Sequence, residues 1–352
     1  MKSTPYILTG GSGWLGRRVA LALTQGIPEL GEIGKGGQKI RCLVPAGEDA
    51  SDLQALDAEI IRGGVNDALA LEDLMRGASG GVLIHMAGLI HPPGRTEWFN
   101  LVNVQGTGQV LEMAKLHGIR RMVVMSSNSP FGGNTSPGES FNESSPYNPY
   151  MGYGKSKMQM EKLLLAHMAS GLGPEVVILR APWFYGPGQP PRQTLFFTMI
   201  KEGKFPIIGN GMNCRSMGYV DSLALGILLA VENVGAANQV FWLADKTPYN
   251  MVEIISTVKE VLRDDFGMQV SSRQLHLPSI TSDVARVVDS GFQSIGLYHQ
   301  KFHVLSEMNM TIACDINKAM DILGYKPIVE LREGMRKSVE WCLFNGQKVF
   351  NV

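Results

Sequence analysis

Long apolar runs are missing from this chain: no stretch approaches the roughly 18 uninterrupted residues that a membrane-crossing helix needs. An excess of charge of either sign is missing too. Lysine and arginine together number 32, aspartate and glutamate 32, and the basic residues gather in nothing longer than short pairs. That balance argues against nucleic acid or an anionic membrane surface as a partner. Cysteine is scarce, and Cys42, Cys214, Cys314 and Cys342 stand far apart without metal-ligand spacing. They read as reduced, mostly buried thiols of a cytoplasmic protein, and no metal site is expected. A strand is expected from residue 5, which leaves no room for a signal peptide ahead of it. The expectation is a soluble, cytoplasmic protein with a small-molecule substrate, and 352 residues suffice to bury a full α/β core.

Glycine, by contrast, is plentiful, and its placement near the amino terminus is informative. Pro5-Tyr-Ile-Leu-Thr-Gly-Gly-Ser-Gly-Trp-Leu-Gly16 runs from an apolar strand into glycines 10, 13 and 16, and the helical pattern Arg17-Arg-Val-Ala-Leu-Ala-Leu23 follows. Glycines permit a tight turn and close approach of the backbone to a pyrophosphate. The helix start then offers its free N–H groups and positive dipole end to the phosphates. Glycine spacing alone is a weak signal, but strand, turn and helix in this order point to a bound dinucleotide.

The first half of the chain alternates. Strands are expected at 5–9, 39–44, 58–62, 82–86, 121–126 and 175–179, with helices at 14–25, 67–76, 99–117 and 151–170. Such alternation implies a doubly wound parallel α/β sheet. Residues 26–38 read as a loop, and 128–150, rich in Gly, Pro, Ser and Asn, as a long functional one. Beyond Arg180 helices are expected at 192–202 and 221–232 and a strand at 238–243, while 278–308 reads as turn-rich. The expected division is a dinucleotide domain over 1–180, to which 219–245 returns, and a smaller interleaved substrate lobe from 181–218 and 246–352.

Tyr153-Gly-Lys-Ser-Lys157 sets a phenol and an ammonium four residues apart on one face of a helix. An ammonium beside a phenol favours the phenolate and brings proton exchange nearer to neutrality. The apolar strand Met122-Val-Val-Met125 ends in Ser126-Ser127, and in a parallel sheet such strand ends face the ligand crevice. Ser127, Tyr153 and Lys157 are therefore the candidate catalytic residues.

These pieces resemble the extended short-chain dehydrogenases/reductases of the NAD(P)-dependent epimerase/dehydratase type. The likeness continues in His85-Met-Ala-Gly88, Asn103-Val-Gln-Gly-Thr107, Leu179-Arg-Ala-Pro-Trp-Phe-Tyr-Gly-Pro-Gly188, Arg215-Ser-Met-Gly-Tyr-Val-Asp221 and Leu323-Gly-Tyr-Lys-Pro327. The resemblance implies that Tyr153 is the acid/base, that Lys157 tunes it and holds the nicotinamide ribose, and that Ser127 hydrogen-bonds the substrate oxygen. It implies a cofactor cradle of Gly10, Ser12, Gly13, Trp14, Leu15, Gly16, Ala87, Gly88, Asn103, Ser126 and Pro182, and substrate contacts from Asn128, Trp183 and Arg215. It also implies a homodimer through the 99–117 and 153–170 helices.

Dehydratases of this type carry an Asp-Glu pair after the strand-end hydroxyl. Asn128 and Ser129 stand there instead, which argues against dehydration. For the cofactor, Glu48 and Asp49 favour NAD while Arg17 and Arg41 keep NADP open; the balance leans to NAD. Arg215 matches the arginine that grips a nucleotide-sugar pyrophosphate, so the leading expectation is a nucleotide-sugar epimerase or ketoreductase. A 3β-hydroxysteroid-dehydrogenase-like enzyme for an apolar substrate is the alternative, with Trp183, Phe184, Phe196 and Phe197 around its pocket. A non-catalytic dinucleotide sensor is the third reading.

Overall fold

The computed structural model describes residues 4–136 and 138–345, apart from the Arg192 side chain. Seven strands form one sheet: β1 (Tyr6–Thr9), β2 (Ile40–Val44), β3 (Glu59–Arg62), β4 (Val82–His85), β5 (Arg121–Ser127), β6 (Glu175–Ala181) and β7 (Gln239–Trp242). Their order is β7-β6-β5-β4-β1-β2-β3, and every pairing is parallel. Both faces are covered, so the strands read as apolar runs and alternate residues feed two separate cores. Ile7, Leu83, Met122, Val124 and Ile178 pack on one side. Leu8, Ile84, Val123, Val177 and Leu179 pack on the other.

The helices that matter for the site are α1 (Trp14–Thr24), α2 (Ala68–Met75), α3 (Thr107–Leu116), α4 (Met151–Ser170), α5 (Pro191–Lys201) and α6 (Val220–Glu232). Met160 and Leu164 of α4 join the core that holds Leu71 and Leu74 of α2 and Val110 and Leu111 of α3. Val19 and Leu23 of α1 join Leu223 and Ile227 of α6 on the opposite face. The chain leaves β1 toward β2 and β3 and later leaves β4 toward β5 and β6. The carboxyl ends of β1 and β4 therefore flank the crevice where doubly wound sheets bind ligands.

A smaller lobe carries short paired strands and the helices α7 (Met251–Glu260), α8 (Ile280–Ser294), α9 (Gln300–Glu307) and α10 (Leu331–Phe344). Its own core includes Phe197, Ile200, Ile254, Val258, Met335 and Val339.

Three local expectations change. Residues 28–34 form a 3-10 turn inside the expected loop. The expected 99–117 helix is interrupted by a π-turn over Asn100–Gly106. The turn-rich 278–308 stretch is the helical hairpin α8–α9. Its buried face is small and polar (Ser282, Ala285, Asp289, His303, Ser306), whereas Ile280, Val284 and Val287 point outward. Ile280, Val284 and Val287 do recur at helical spacing, although they face outward, and Phe292 stacks on Phe302 across the hairpin at 5.8 Å.

Candidate active site

The glycine turn closes between β1 and α1. Gly13 N–H donates to the Gly10 carbonyl at 3.1 Å, and Gly13 caps α1 without a side chain. Gly10 adopts φ +74°, and a Cβ there would lie 2.5 Å from the Ala87 nitrogen. A Cβ on Gly16 would lie 2.0 Å from the Gly10 oxygen. Only glycine fits at these two positions, and the helix start is left bare for an anion. This cradle fits a dinucleotide.

Ser12 Oγ donates to Glu48 Oε2 at 2.7 Å, which brings a carboxylate to the edge of the turn. Arg17 is tied to Asp52 at 3.0 Å and to the Ser12 carbonyl at 2.9 Å. Arg41 is turned away, onto Glu59 and the carbonyls of Leu74 and Arg76. Leu15 is buried in the core behind the turn. Trp14 packs at a tilt on Phe184, 4.8 Å between ring centroids, and donates Nε1–H to the Pro187 carbonyl at 2.7 Å. The turn is thereby joined to the loop that follows Pro182, itself buried after β6.

At the end of β5 and the start of α4 the candidate catalytic groups meet. Tyr153 is buried, and its phenol is turned toward Ser127. Burial pushes the phenol up to about 12, the Ser127 hydroxyl pulls it down, and the Glu307 charge adds to the rise. Ser127 Oγ is also 3.3 Å from Ser129 Oγ and 3.4 Å from Asn128 Oδ1. One helical turn on, Lys157 Nζ donates to the Met125 carbonyl at 2.9 Å. It also lies 3.3 Å from where a Gly88 Cβ would stand. Burial lowers the Lys157 ammonium to about 8, and the Glu161 carboxylate opposes that.

Two expected cofactor contacts are spent elsewhere. Asn103 is fully buried. Its Oδ1 accepts from Leu89 N–H at 2.7 Å, and its amide donates to the Leu89 carbonyl and Ser156 Oγ, both at 3.0 Å. It braces the loop after β4 from behind. Ser126 points to the opposite face of β5 from Ser127 and donates to Glu161, the buried partner of Arg180 at 2.7 Å. Strand alternation makes it part of an internal ion-pair network.

On the lobe side, the Trp183 ring is half-buried against Phe196 at 5.3 Å, with Nε1–H donating to Gln193 at 3.2 Å. Arg215 donates Nη2–H to the Glu307 carbonyl at the end of α9. Burial lowers its pKa and the Glu307 carboxylate raises it. Burial is the larger effect, and the hydrogen-bond partner is a neutral carbonyl. His85 bridges Thr9 at 2.6 Å and Thr107 at 2.9 Å, and burial drops it to about 3, with the Lys157 charge adding to the fall. It is a neutral strut. No cluster of metal-ligating side chains occurs among the described residues.

Residues that the sequence did not single out complete the surroundings. Phe99 packs at 6.0 Å on Tyr153 and at 5.6 Å on Tyr298, and the Tyr298 hydroxyl is 2.6 Å from His91 Nδ1. Asp245, after β7, accepts from Tyr185 OH at 2.8 Å and Tyr219 N–H at 3.1 Å. Arg18 grips Asp221 with bonds of 2.6 and 2.9 Å, locking α1 to α6.

The family model described as NAD dependent epimerase/dehydratase family matches residues 6–244. The chain belongs to that family. The epimerase/dehydratase-family enzyme is 55% identical over 341 residues to protein y4nL of Sinorhizobium fredii, covering 97% of this chain and 96% of that one. It is 30% identical over 255 residues to 4-hydroxy-2-methyl-3-oxo-4-farnesyl-3,4-dihydroquinoline-1-oxide ketoreductase of Stigmatella aurantiaca, covering 72% of each. Among solved structures, gox2253 superposes with a TM-score of 0.77 at 21% identity, covering 98% of this chain and 99% of the other. The UDP-glucuronic acid 4-epimerase of Bacillus cereus in complex with NAD gives 0.73 at 20% identity, with 97% and 99% covered. These two likenesses show the fold, a Rossmann-like α/β sheet. No helix among the described residues is long and apolar enough to cross a membrane.

Proposed function

We propose that this family member interconverts a secondary carbinol and its ketone, with Tyr153 as acid/base. The convergence of Ser127, Tyr153 and Lys157 beside the glycine cradle carries the reading. Bound NAD(P) would supply or accept the hydride at its nicotinamide ring. Gly10, Gly13 and Gly16 hold the pyrophosphate, Ser12, Trp14, Ala87, Gly88 and Pro182 line the dinucleotide, and Lys157 Nζ takes the nicotinamide ribose. Ser127 Oγ hydrogen-bonds the substrate oxygen, and Tyr153 Oη gives that oxygen a proton or takes one away. Asn128 and Ser129 offer no second acid, so water elimination is outside the repertoire. Glu48, bonded to Ser12, stands where it can accept from a ribose hydroxyl and would repel a phosphate, which favours NAD over NADP.

For the substrate, the aromatic residues Trp183 and Phe196 on the lobe side favour an apolar ring ketone. Similarity to a ketoreductase of a farnesylated quinoline points the same way. The second reading is a nucleotide-sugar, bound by its pyrophosphate on Arg215 in exchange for Glu307 and epimerised or reduced. In both, the lobe of 181–218 and 246–352 supplies the substrate contacts. Leu163, Leu165 and Met168, half-buried along α4, support a homodimer, to be read from the mass in solution.

The test is a nicotinamide-absorbance assay with cholestan-3-one, beside UDP-glucose and UDP-glucuronate followed by chromatography for epimers. Tyr153→Phe should keep NAD affinity and lose at least about a hundredfold in kcat. Full activity in that variant would remove Tyr153 from the chemistry. Turnover of the sugars alone, abolished in Arg215→Ala, would move the assignment to a nucleotide-sugar.

A further inference from the structure

Helix α4 begins badly by its own local means. Its N-cap, Tyr150, offers no side-chain acceptor to the first turn, and Met151 stands at φ +50°, a region unfavourable for a residue with a side chain. The residue that follows these and Gly152 is Tyr153. The first turn is satisfied from outside. Gly152 N–H donates to Gln293 Oε1 of α8 at 2.8 Å. Even a methyl group on Gly152 would meet that oxygen at 2.9 Å and the Phe99 ring at 3.1 Å.

Gln293 is itself held. Its Nε2–H donates to Asp289 Oδ2 at 3.0 Å, and the same oxygen is 2.9 Å from His303 Nδ1 of α9. Ser306 donates to the His303 carbonyl at 2.6 Å, and Tyr150 OH donates to Ser306 Oγ at 2.6 Å. The path from Tyr150 through Ser306, His303, Asp289 and Gln293 to Gly152 is a chain of hydrogen bonds closed by the backbone of 150–152. Asp289, His303 and Ser306 are buried. A polar interior is a costly way to build a helical hairpin, and it serves no apolar core. Its two ends grip the residues on either side of Met151.

We propose that Gln293 is a positioning residue for the hydride-transfer reaction: by capping Gly152 it fixes the first turn of α4, and with it the Tyr153 hydroxyl against Ser127. This rests on Tyr153 as the acid/base. A displacement of about 1 Å at a reacting group costs on the order of a hundredfold in rate, so one remote cap can matter to turnover while leaving binding alone.

The experiment compares Gln293→Met, Gln293→Glu and the double variant Gln293→Glu/Asp289→Asn. The double variant keeps the acceptor for Gly152, reverses donor and acceptor within the Gln293–Asp289 pair and conserves charge. The new amide at position 289 then donates to both the carboxylate at 293 and His303 Nδ1, with the His303 proton on Nε2 toward Glu307. Amide exchange over residues 150–157, which needs no substrate, should accelerate at least about tenfold in Gln293→Met with residues 158–170 unchanged. On whichever of cholestan-3-one, UDP-glucose or UDP-glucuronate is turned over, kcat should fall roughly tenfold or more with KM and NAD affinity within about twofold. The double variant should restore both readouts. Gln293→Glu, with two carboxylates side by side, supplies the same comparison if Gln293→Met does not fold. Unchanged exchange overturns the proposal, as does a joint fall of kcat, cofactor affinity and melting temperature that the double variant fails to rescue. Tyr153→Phe inactive beside a Gln293→Met of normal kcat defeats this inference alone; an active Tyr153→Phe defeats the reading beneath it.

Discussion

A methyl group on Gly16 would stand 2.0 Å from the Gly10 oxygen and 2.7 Å from the Gly11 Cα, both backbone atoms that no rotamer change can move aside. Gly16→Ala should therefore open the turn, lowering stability by about 1–3 kcal/mol and NAD affinity at least about tenfold, read by thermal melts and fluorescence titration. Adjacent serines divide by the same kind of local geometry. Ser126→Ala removes a buried donor from Glu161 and should lower the melting temperature with kcat kept, while Ser127→Ala should do the reverse. Calorimetry and steady-state kinetics on the pair separate the two. The sequence announced Ser127 because it ends an apolar strand at the crevice. The family resemblance put Ser126 in the cofactor cradle, whereas strand alternation turns that hydroxyl onto Glu161. Asn103 was legible as a motif residue, yet its contacts with Leu89 and Ser156 depend on a π-turn that no local pattern reveals.

Elements were legible where one periodicity ruled. The alternating apolar strands and helices of the first half fall within a few residues of expectation, because a covered parallel sheet demands continuous apolar strands. The α8–α9 hairpin escaped because polar side chains do its internal bonding. Another interelement bond was equally silent in sequence. Arg121, at the first position of β5, is buried and donates to the carbonyls of Ala230, Val231 and Asn233 at 3.0, 2.9 and 2.7 Å, while its other face meets Glu175 at 2.7 Å. It satisfies the last turn of α6, whose carbonyls have no other helical partner. Arg121→Met should leave the Ala230 and Val231 carbonyls bare and cost about 3 kcal/mol, measured by urea unfolding, with the far-ultraviolet spectrum otherwise preserved.

At the scale of the whole molecule, Asp245 sits where β7 hands the chain to the lobe. Burial raises its carboxyl to about 7, against the hydrogen bonds from Tyr185, Tyr219 and Tyr249. A carboxyl raised on folding binds its proton more tightly in the native state. Its contribution is complete below the unfolded value near 4 and is lost as pH rises through about 7, a swing of up to a few kcal/mol. The melting temperature should fall over that interval, and Asp245→Asn should flatten the slope.

The placement of β7 has a consequence for how the chain can be divided. Between Ala181 and Gln239 the polypeptide travels through the lobe before supplying the strand that covers β6. A fragment ending at Ala181 would carry every other strand but present β6 as a naked edge, with the α6 side of the sheet stripped as well. Such a fragment should aggregate on expression. The ribosome must therefore release some sixty further residues before the first half of the protein can close its own sheet, so the smaller lobe is begun before the seven-stranded sheet is finished.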